Sequence, residues 1–163
     1  MSGVEIRDLR ADETAFLREM LYIALAWNPN RRLPPKAVLL RLPQLTMFYK
    51  GWGRAGDMAL VAEDAGQRIG LVWYRLFTEA VHGEGFVDEE TPEVAIAVLE
   101  GRRASGVGTA LMEAIHARAR ENGVVRISLS VDRENPARRL YERLGYVDVE
   151  PDDANGRMIL ELA

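Results

Sequence analysis

The chain has no cysteine and only two histidines, His82 and His116. Without thiols there is no disulfide framework, no thiolate metal site and no cysteine nucleophile. The two histidines lack metal-ligand spacing, so no metal centre is expected. Positive charge is not in excess. The net charge is −4, which argues against general nucleic-acid binding, where affinity rests on neutralising phosphates. No apolar run is long enough to span a bilayer. The start, Met1-Ser2-Gly3-Val4-Glu5, lacks a basic segment followed by an apolar one, so no secretory leader and no membrane partner are expected. The missing cysteines fit a reducing, cytoplasmic setting. There is no internal repeat, low-complexity tract or linker. What remains is an ordinary globular composition, 48% hydrophobic and 28% charged, in 163 residues. That length fits a single domain over 1–163 with a sizeable core.

The order of elements follows from periodicity and breakers. Val4 to Leu9 reads as a strand. Asp12 can cap a helix over about 13–26, where Phe16, Leu17, Met20, Leu21, Ala24 and Leu25 recur at helical spacing. Asn28-Pro29-Asn30 ends that helix. A second helical region starts near Pro35 and is split by Pro43. Two strands, Met58 to Ala62 and Arg68 to Phe77, flank a turn at Asp64-Ala65-Gly66-Gln67. A polar stretch over about 78–92 leads to Glu93 to Leu99, apolar on both faces and therefore central in its sheet. A helix-like stretch from Thr109 to Asn122 follows; with the turn before it, it buries Val107, Leu111 and Ile115, with His116 solvated and Gly123 closing it. Val124 to Val131 alternates apolar residues with Arg126, Ser128 and Ser130, a strand with unlike faces. Asn135-Pro136 opens a last helix to about Leu144, ended by Gly145, with Arg138, Arg139 and Arg143 on a solvated face. Tyr146 to Glu150 and Met158 to Leu162 close the chain as a strand pair around Asn155-Gly156. The pattern is mixed α/β.

The most informative segment is Arg103-Ala104-Ser105-Gly106-Val107-Gly108. An apolar strand precedes it and a helix follows. A basic, glycine-rich turn at a helix start offers backbone N–H groups to a phosphate. Glycine at 106 and 108 removes side chains that would block close approach or forbid positive φ. The turn comes late in the chain and lacks three-glycine spacing with a later acidic residue, which excludes a dinucleotide-binding Rossmann unit.

These residues resemble the GNAT superfamily of acyl-CoA-dependent N-acyltransferases. One family signature is Arg or Gln, two residues, Gly, one residue, then Gly or Ala; Arg103, Gly106 and Gly108 match it. A second lies about thirty residues later, and Asn135, Ala137, Leu140, Tyr141, Gly145 and Tyr146 match its spacing. The motif-bearing match covers about 93–149. The resemblance implies the GNAT fold: a single mixed, mostly antiparallel sheet flanked by helices. It also implies acetyl-CoA as cofactor and coenzyme A as product, with no metal. Homodimers are common in the family.

Arg102, Arg103, Ala104, Ser105, Gly106, Val107, Gly108 and Thr109 would then hold the pyrophosphate. Backbone groups of Ile96, Ala97 and Val98 would meet the pantetheine, entering where the two central strands splay. Asn135 would cap its helix and, by the resemblance, touch the cofactor. Arg138 or Arg139 is a further option for the cofactor's 3′-phosphate. Tyr141 is the expected general acid toward the leaving thiolate, and Glu93 the expected base that deprotonates the acceptor amine. Asp88, Glu89 and Glu90 are nearby competitors for the base. Helical spacing places Tyr141 at the edge of the core-facing side of its helix. Trp27, Tyr74 and Phe86 are candidates for the acceptor pocket; Trp52 reads as packing. The expected reaction is direct transfer to a primary amine of a small molecule or peptide, since no covalent nucleophile offers itself. A backbone N–H near Val98 would hold the oxyanion. The alternatives are a non-catalytic acyl-CoA-binding sensor or interaction domain on the same fold, and an enzyme for longer acyl chains.

Overall fold

A computed structural model describes residues 3–103 and 105–163. The elements are β1 (Val4–Asp8), α1 (Thr14–Leu25), α2 (Lys36–Leu39), α3 (Pro43–Thr46), β2 (Met58–Asp64), β3 (Gln67–Arg75), β4 (Glu93–Val98), α4 (Val107–Glu121), β5 (Arg126–Ser130), α5 (Arg138–Arg143), β6 (Val147–Asp148) and β7 (Arg157–Glu161). Seven strands form one sheet in the order β1-β2-β3-β4-β5-β7-β6. The pairings β1–β2, β2–β3, β5–β7 and β6–β7 are antiparallel, and β4–β5 is parallel. This is the mixed, mostly antiparallel sheet that the family resemblance implies. Among the described residues no helix is long and apolar enough to cross a membrane. By internal contacts the chain divides into two compact units, Met1–Tyr74 with Ala95–Ile115, and Arg75–Val94 with His116–Ala163.

In the first unit, α1 buries Phe16, Leu17, Met20 and Leu21 against Val61, Leu71 and Trp73 of the hairpin β2–β3. The hairpin turns on Ala65 and Gly66, both at positive φ (51° and 80°), which matches the right-handed twist of the flanking strands. Pro43 opens α3 and limits α2 to one turn, as its missing N–H and fixed φ require. The expected Asp12 cap is corrected. A 3-10 turn over Ala11–Glu13 precedes α1, and the buried Glu13 accepts the Arg10 N–H at 2.8 Å. Glu13 also holds Arg7 at 2.8 Å and Arg68 at 3.2 Å, so its longer side chain serves three donors that Asp12 does not.

In the second unit, β5 pairs with β7 from Arg126 opposite Glu161 to Ser130 opposite Arg157. The expected unlike faces of β5 hold for buried Ile127, Leu129 and Val131 against partly covered Arg126 and Ser130, but fail at Ser128 and Val125. Ile127, Ser128 and Leu129 are all buried, while Val125 is 58% exposed. The segment before β4 covers Ser128, whose hydroxyl donates to the Gly85 carbonyl at 2.7 Å. His116 is also corrected. It is buried, and its Nε2 lies 2.7 Å from the Tyr146 hydroxyl. Burial pushes its pKa down to about 4, so the ring is neutral. Arg138 is not solvated either. It forms an ion pair with Asp148 at 2.5 Å, and only 14% of its side chain is exposed. That pairing commits one of the two arginines considered for the 3′-phosphate. Finally, α5 is shorter than expected. Asn135 Oδ1 accepts the Ala137 N–H at 2.9 Å in a turn ahead of the helix.

Candidate active site

The first unit carries the glycine turn. β4 holds the middle place in the sheet, yet Ala95, Ile96 and Val98 are only partly covered, and Ala97 is buried. The strand ends where the Leu99 N–H donates to the Ile69 carbonyl at 2.9 Å, and the Arg102 N–H then turns back to Leu99 at 3.0 Å. Gly106 sits at φ +86°, a backbone region where a Cβ is strained. α4 begins at the next residue. Its Ala110 N–H returns to the Gly106 carbonyl at 3.1 Å, which leaves the N–H groups of Val107, Gly108 and Thr109 without acceptors inside the helix. Arg103 is exposed, and its Nε donates to the Val98 carbonyl at 3.2 Å. Arg102 is paired with Asp64, and the Ser105 hydroxyl donates to the Arg102 carbonyl. Ala104 lies outside the described residues. Helix-start N–H groups with no acceptor inside the helix, a left-handed glycine and an exposed guanidinium suit a diphosphate.

The second unit carries the ionisable residues. Glu93 opens β4 opposite Ser128 of β5 and is only 8% exposed. Its Oε1 is buried with no hydrogen-bond partner. Burial raises its pKa to about 7, helped by the negative charge of Glu84 and opposed by a backbone hydrogen bond from Gly85. It is therefore no solvated strand-end carboxylate but one poised to take or give a proton near neutrality. Of the competing loop acids, Asp88 is drawn below its ordinary range by hydrogen bonds from Thr91 and Glu90, against a desolvation that acts the other way, and it faces Arg126 at 3.5 Å. Glu89 accepts the Glu79 N–H at 2.9 Å.

Tyr141 on α5 is buried more deeply than the expected edge position; Ala137, Leu140 and Leu144 are each less covered. Burial pushes its phenol up to about 12, so it stays protonated. Its ring packs edge-on against Tyr146 with centroids 5.9 Å apart. Phe86 is buried under His82, stacked at 4.3 Å. Trp27, in the first unit, is partly covered after α1, and Tyr74 is buried in β3. Sequence reasoning passed over three features. Gly85 gave no periodic or motif signal, and alternation assigned Ser128 to an outer face. The indole N–H of Trp73 is buried without a partner, which only packing reveals. Among the described residues no cluster of His, Cys, Asp or Glu is placed to hold a metal ion.

A sequence profile described as the Acetyltransferase (GNAT) family matches residues 18–146. No curated protein matches the chain. Several solved structures share its fold. The PaiA N-acetyltransferase of Thermoplasma acidophilum, solved in complex with coenzyme A, superposes with a TM-score of 0.74 at 16% identity, covering 99% of both chains. A GNAT family acetyltransferase of Brucella melitensis in complex with acetyl-CoA gives 0.65 at 19%, over 98% of this chain and 88% of that one. A ribosomal-protein-alanine N-acetyltransferase from Brucella melitensis gives 0.67 at 23%, over 96% and 99%.

Proposed function

The chain belongs to the GNAT acetyltransferase family, and from that premise we propose that it transfers an acetyl group from acetyl-CoA directly to a primary amine. The observation that carries this reading is the buried Glu93 carboxyl with its unpartnered Oε1. An acceptor amine arrives mostly as ammonium and must lose a proton before it attacks. A carboxylate that titrates at about 7 matches that task at physiological pH.

Two of the similar proteins were solved with coenzyme A or acetyl-CoA, and the turn before α4 has the parts to hold the same molecule. The N–H groups of Val107, Gly108 and Thr109 would bind the pyrophosphate, with Arg103 adding charge. Arg102 contributes less directly, since Asp64 already engages it. The partly covered apolar run Ile96 to Val98 offers backbone groups to the pantetheine amides, and a Val98 N–H would hold the developing oxyanion. Bound acetyl-CoA supplies the activated thioester. Asn135 is committed to its own turn through Ala137, so its part is to set the approach to α5.

Tyr141 acts on the leaving sulfur. A thiol titrates near 8.5, about three and a half units below a phenol at about 12, so complete proton transfer from Tyr141 is uphill. Its contribution is a hydrogen bond to the departing thiolate. Direct transfer is supported by the absence of any cysteine in the sequence. Trp27, Tyr74 and Phe86 stay candidates for acceptor contact, as a small-molecule or peptide amine would need apolar walls.

The test is release of free thiol from acetyl-CoA across a panel of primary amines, including peptide N-termini and diamines. Amine-dependent release supports the reading. Coenzyme A binding by calorimetry without turnover of any amine would replace it with a cofactor-binding sensor.

A further inference from the structure

The Glu93 carboxyl occupies a seat whose shape depends on two residues with no charge of their own. A Cβ built on Gly85 would lie 2.7 Å from Glu93 Cδ and 2.9 Å from both Cγ and Oε2. Carbon atoms in contact sit near 3.5–4.0 Å, so any side chain at 85 would drive the carboxyl away. The bare backbone of Gly85 is therefore the floor on which Oε2 rests, and Oε1 is left with no partner.

Ser128 fixes that floor. It is fully buried in β5, where a hydroxyl is costly unless bonded. Its Oγ reaches the Gly85 carbonyl at 2.7 Å and the Pro92 carbonyl at 3.5 Å, while its N–H donates to the Pro92 carbonyl at 3.0 Å. One residue thus grips both ends of the segment that runs over the carboxyl. Outside that grip, Arg157 Nη1 donates to the Phe86 carbonyl at 3.3 Å. The charge facing Glu93 from the segment is Glu84, and β5 presents the neutral Ser128 at the paired position.

We propose that Gly85 and Ser128 are positioning residues: Gly85 seats the Glu93 carboxyl and the Ser128 hydroxyl locks Gly85 in place. The inference rests on the reading of Glu93 as the proton acceptor. Displacing the carboxyl removes the Gly85 backbone hydrogen bond, so Gly85→Ala makes the ionised form harder to reach. Ser128→Ala loosens the segment, admits water and makes the ionised form easier to reach. The two changes therefore move the titration in opposite directions.

The experiment follows the carboxylic-acid C=O band of the whole protein by infrared spectroscopy against pH, with Glu93→Gln identifying the band. The titration midpoint should rise in Gly85→Ala and fall in Ser128→Ala, each by about one pH unit, a tenfold change in proton affinity. Coenzyme A affinity, measured by calorimetry, should stay within about twofold in both, a difference well under 1 kcal/mol. Midpoints equal to wild type in folded variants would overturn the proposal. Should Gly85→Ala fail to fold, Ser128→Ala, which removes one oxygen, decides by itself. Full turnover by Glu93→Gln would remove the catalytic reading while leaving the measured seat intact, so the two failures are separable.

Discussion

At the residue scale, Glu93 shows a conflict between stability and chemistry. Its carboxyl titrates at about 7 when folded, against an ordinary value of 4.5. The native state thus holds a proton the unfolded chain has lost, and stability falls as pH rises from 4.5 to 7. Glu93→Gln removes that cost. At pH 8 the variant should be more stable by roughly 3 kcal/mol, from about 1.4 kcal/mol per pH unit, while turnover drops about 100-fold or more. Urea denaturation and thiol release measure the two halves; a variant both less stable and fully active would contradict the account. Tyr141→Phe makes a different prediction. Phenylalanine keeps the ring packed on Tyr146, so folding and coenzyme A affinity should hold while kcat falls about tenfold or more. Unchanged kcat would remove Tyr141 from the chemistry. Both residues are candidates from the sequence, Tyr141 through its motif and Glu93 through its place at the start of an apolar strand. Burial was not legible for either. Nor was Ser128, because alternation along a strand assigns it to the outer face until the segment over 75–92 is seen to cover it.

At the element scale, the turn before α4 behaves as its glycines require. Gly106 holds a left-handed backbone, and the following helix start leaves three N–H groups without acceptors inside the helix. Gly106→Val would force a β-branched residue into that region and crowd the N–H groups. Coenzyme A binding should weaken more than tenfold, at a stability cost of about 1–3 kcal/mol. Calorimetry giving wild-type affinity would contradict the placement. The elements themselves were readable where breakers act locally: Pro43 splitting the second helical region, the Ala65-Gly66 hairpin, and Gly123 and Gly145 after their helices, at φ +79° and +101°. The first helix start was misread because Asp12 is the favoured cap type in sequence, whereas the structure puts Glu13 at that position without a side-chain cap hydrogen bond. The choice fell to Glu13 because β1 and β3 bring Arg7 and Arg68 to it. His116 was misread from Arg118 beside it, although Met112 and Ala119 on the same helix face are buried, and its partner Tyr146 comes thirty residues later.

At the scale of the whole molecule, three groups set the pH range of stability. Glu13 is held down to about 2, chiefly by its hydrogen bond from Arg7, so its contribution is complete above 4.5 and lost as pH falls toward 2. His116 stays neutral down to about 4 where the free side chain charges at 6.5, so stability also falls between 6.5 and 4. Glu93 has the opposite slope from 4.5 to 7. The two opposing groups nearly cancel between 4.5 and 6.5. The urea midpoint should therefore show a plateau there, a steep loss below 4.5 and a shallower one toward 7. In Glu93→Gln the plateau should become a rise from 4.5 to 6.5; a flat profile in that variant would show that Glu93 is not the opposing group. The sequence by itself determined the family, the order of strands and helices, and the turn that suits a diphosphate, because motifs, breakers and periodicity act over a few residues. Only the tertiary structure decided which ionisable side chains are buried, and so which are neutral, paired or poised. Burial and charge pairing are made by segments far apart in the chain, and no local pattern records them.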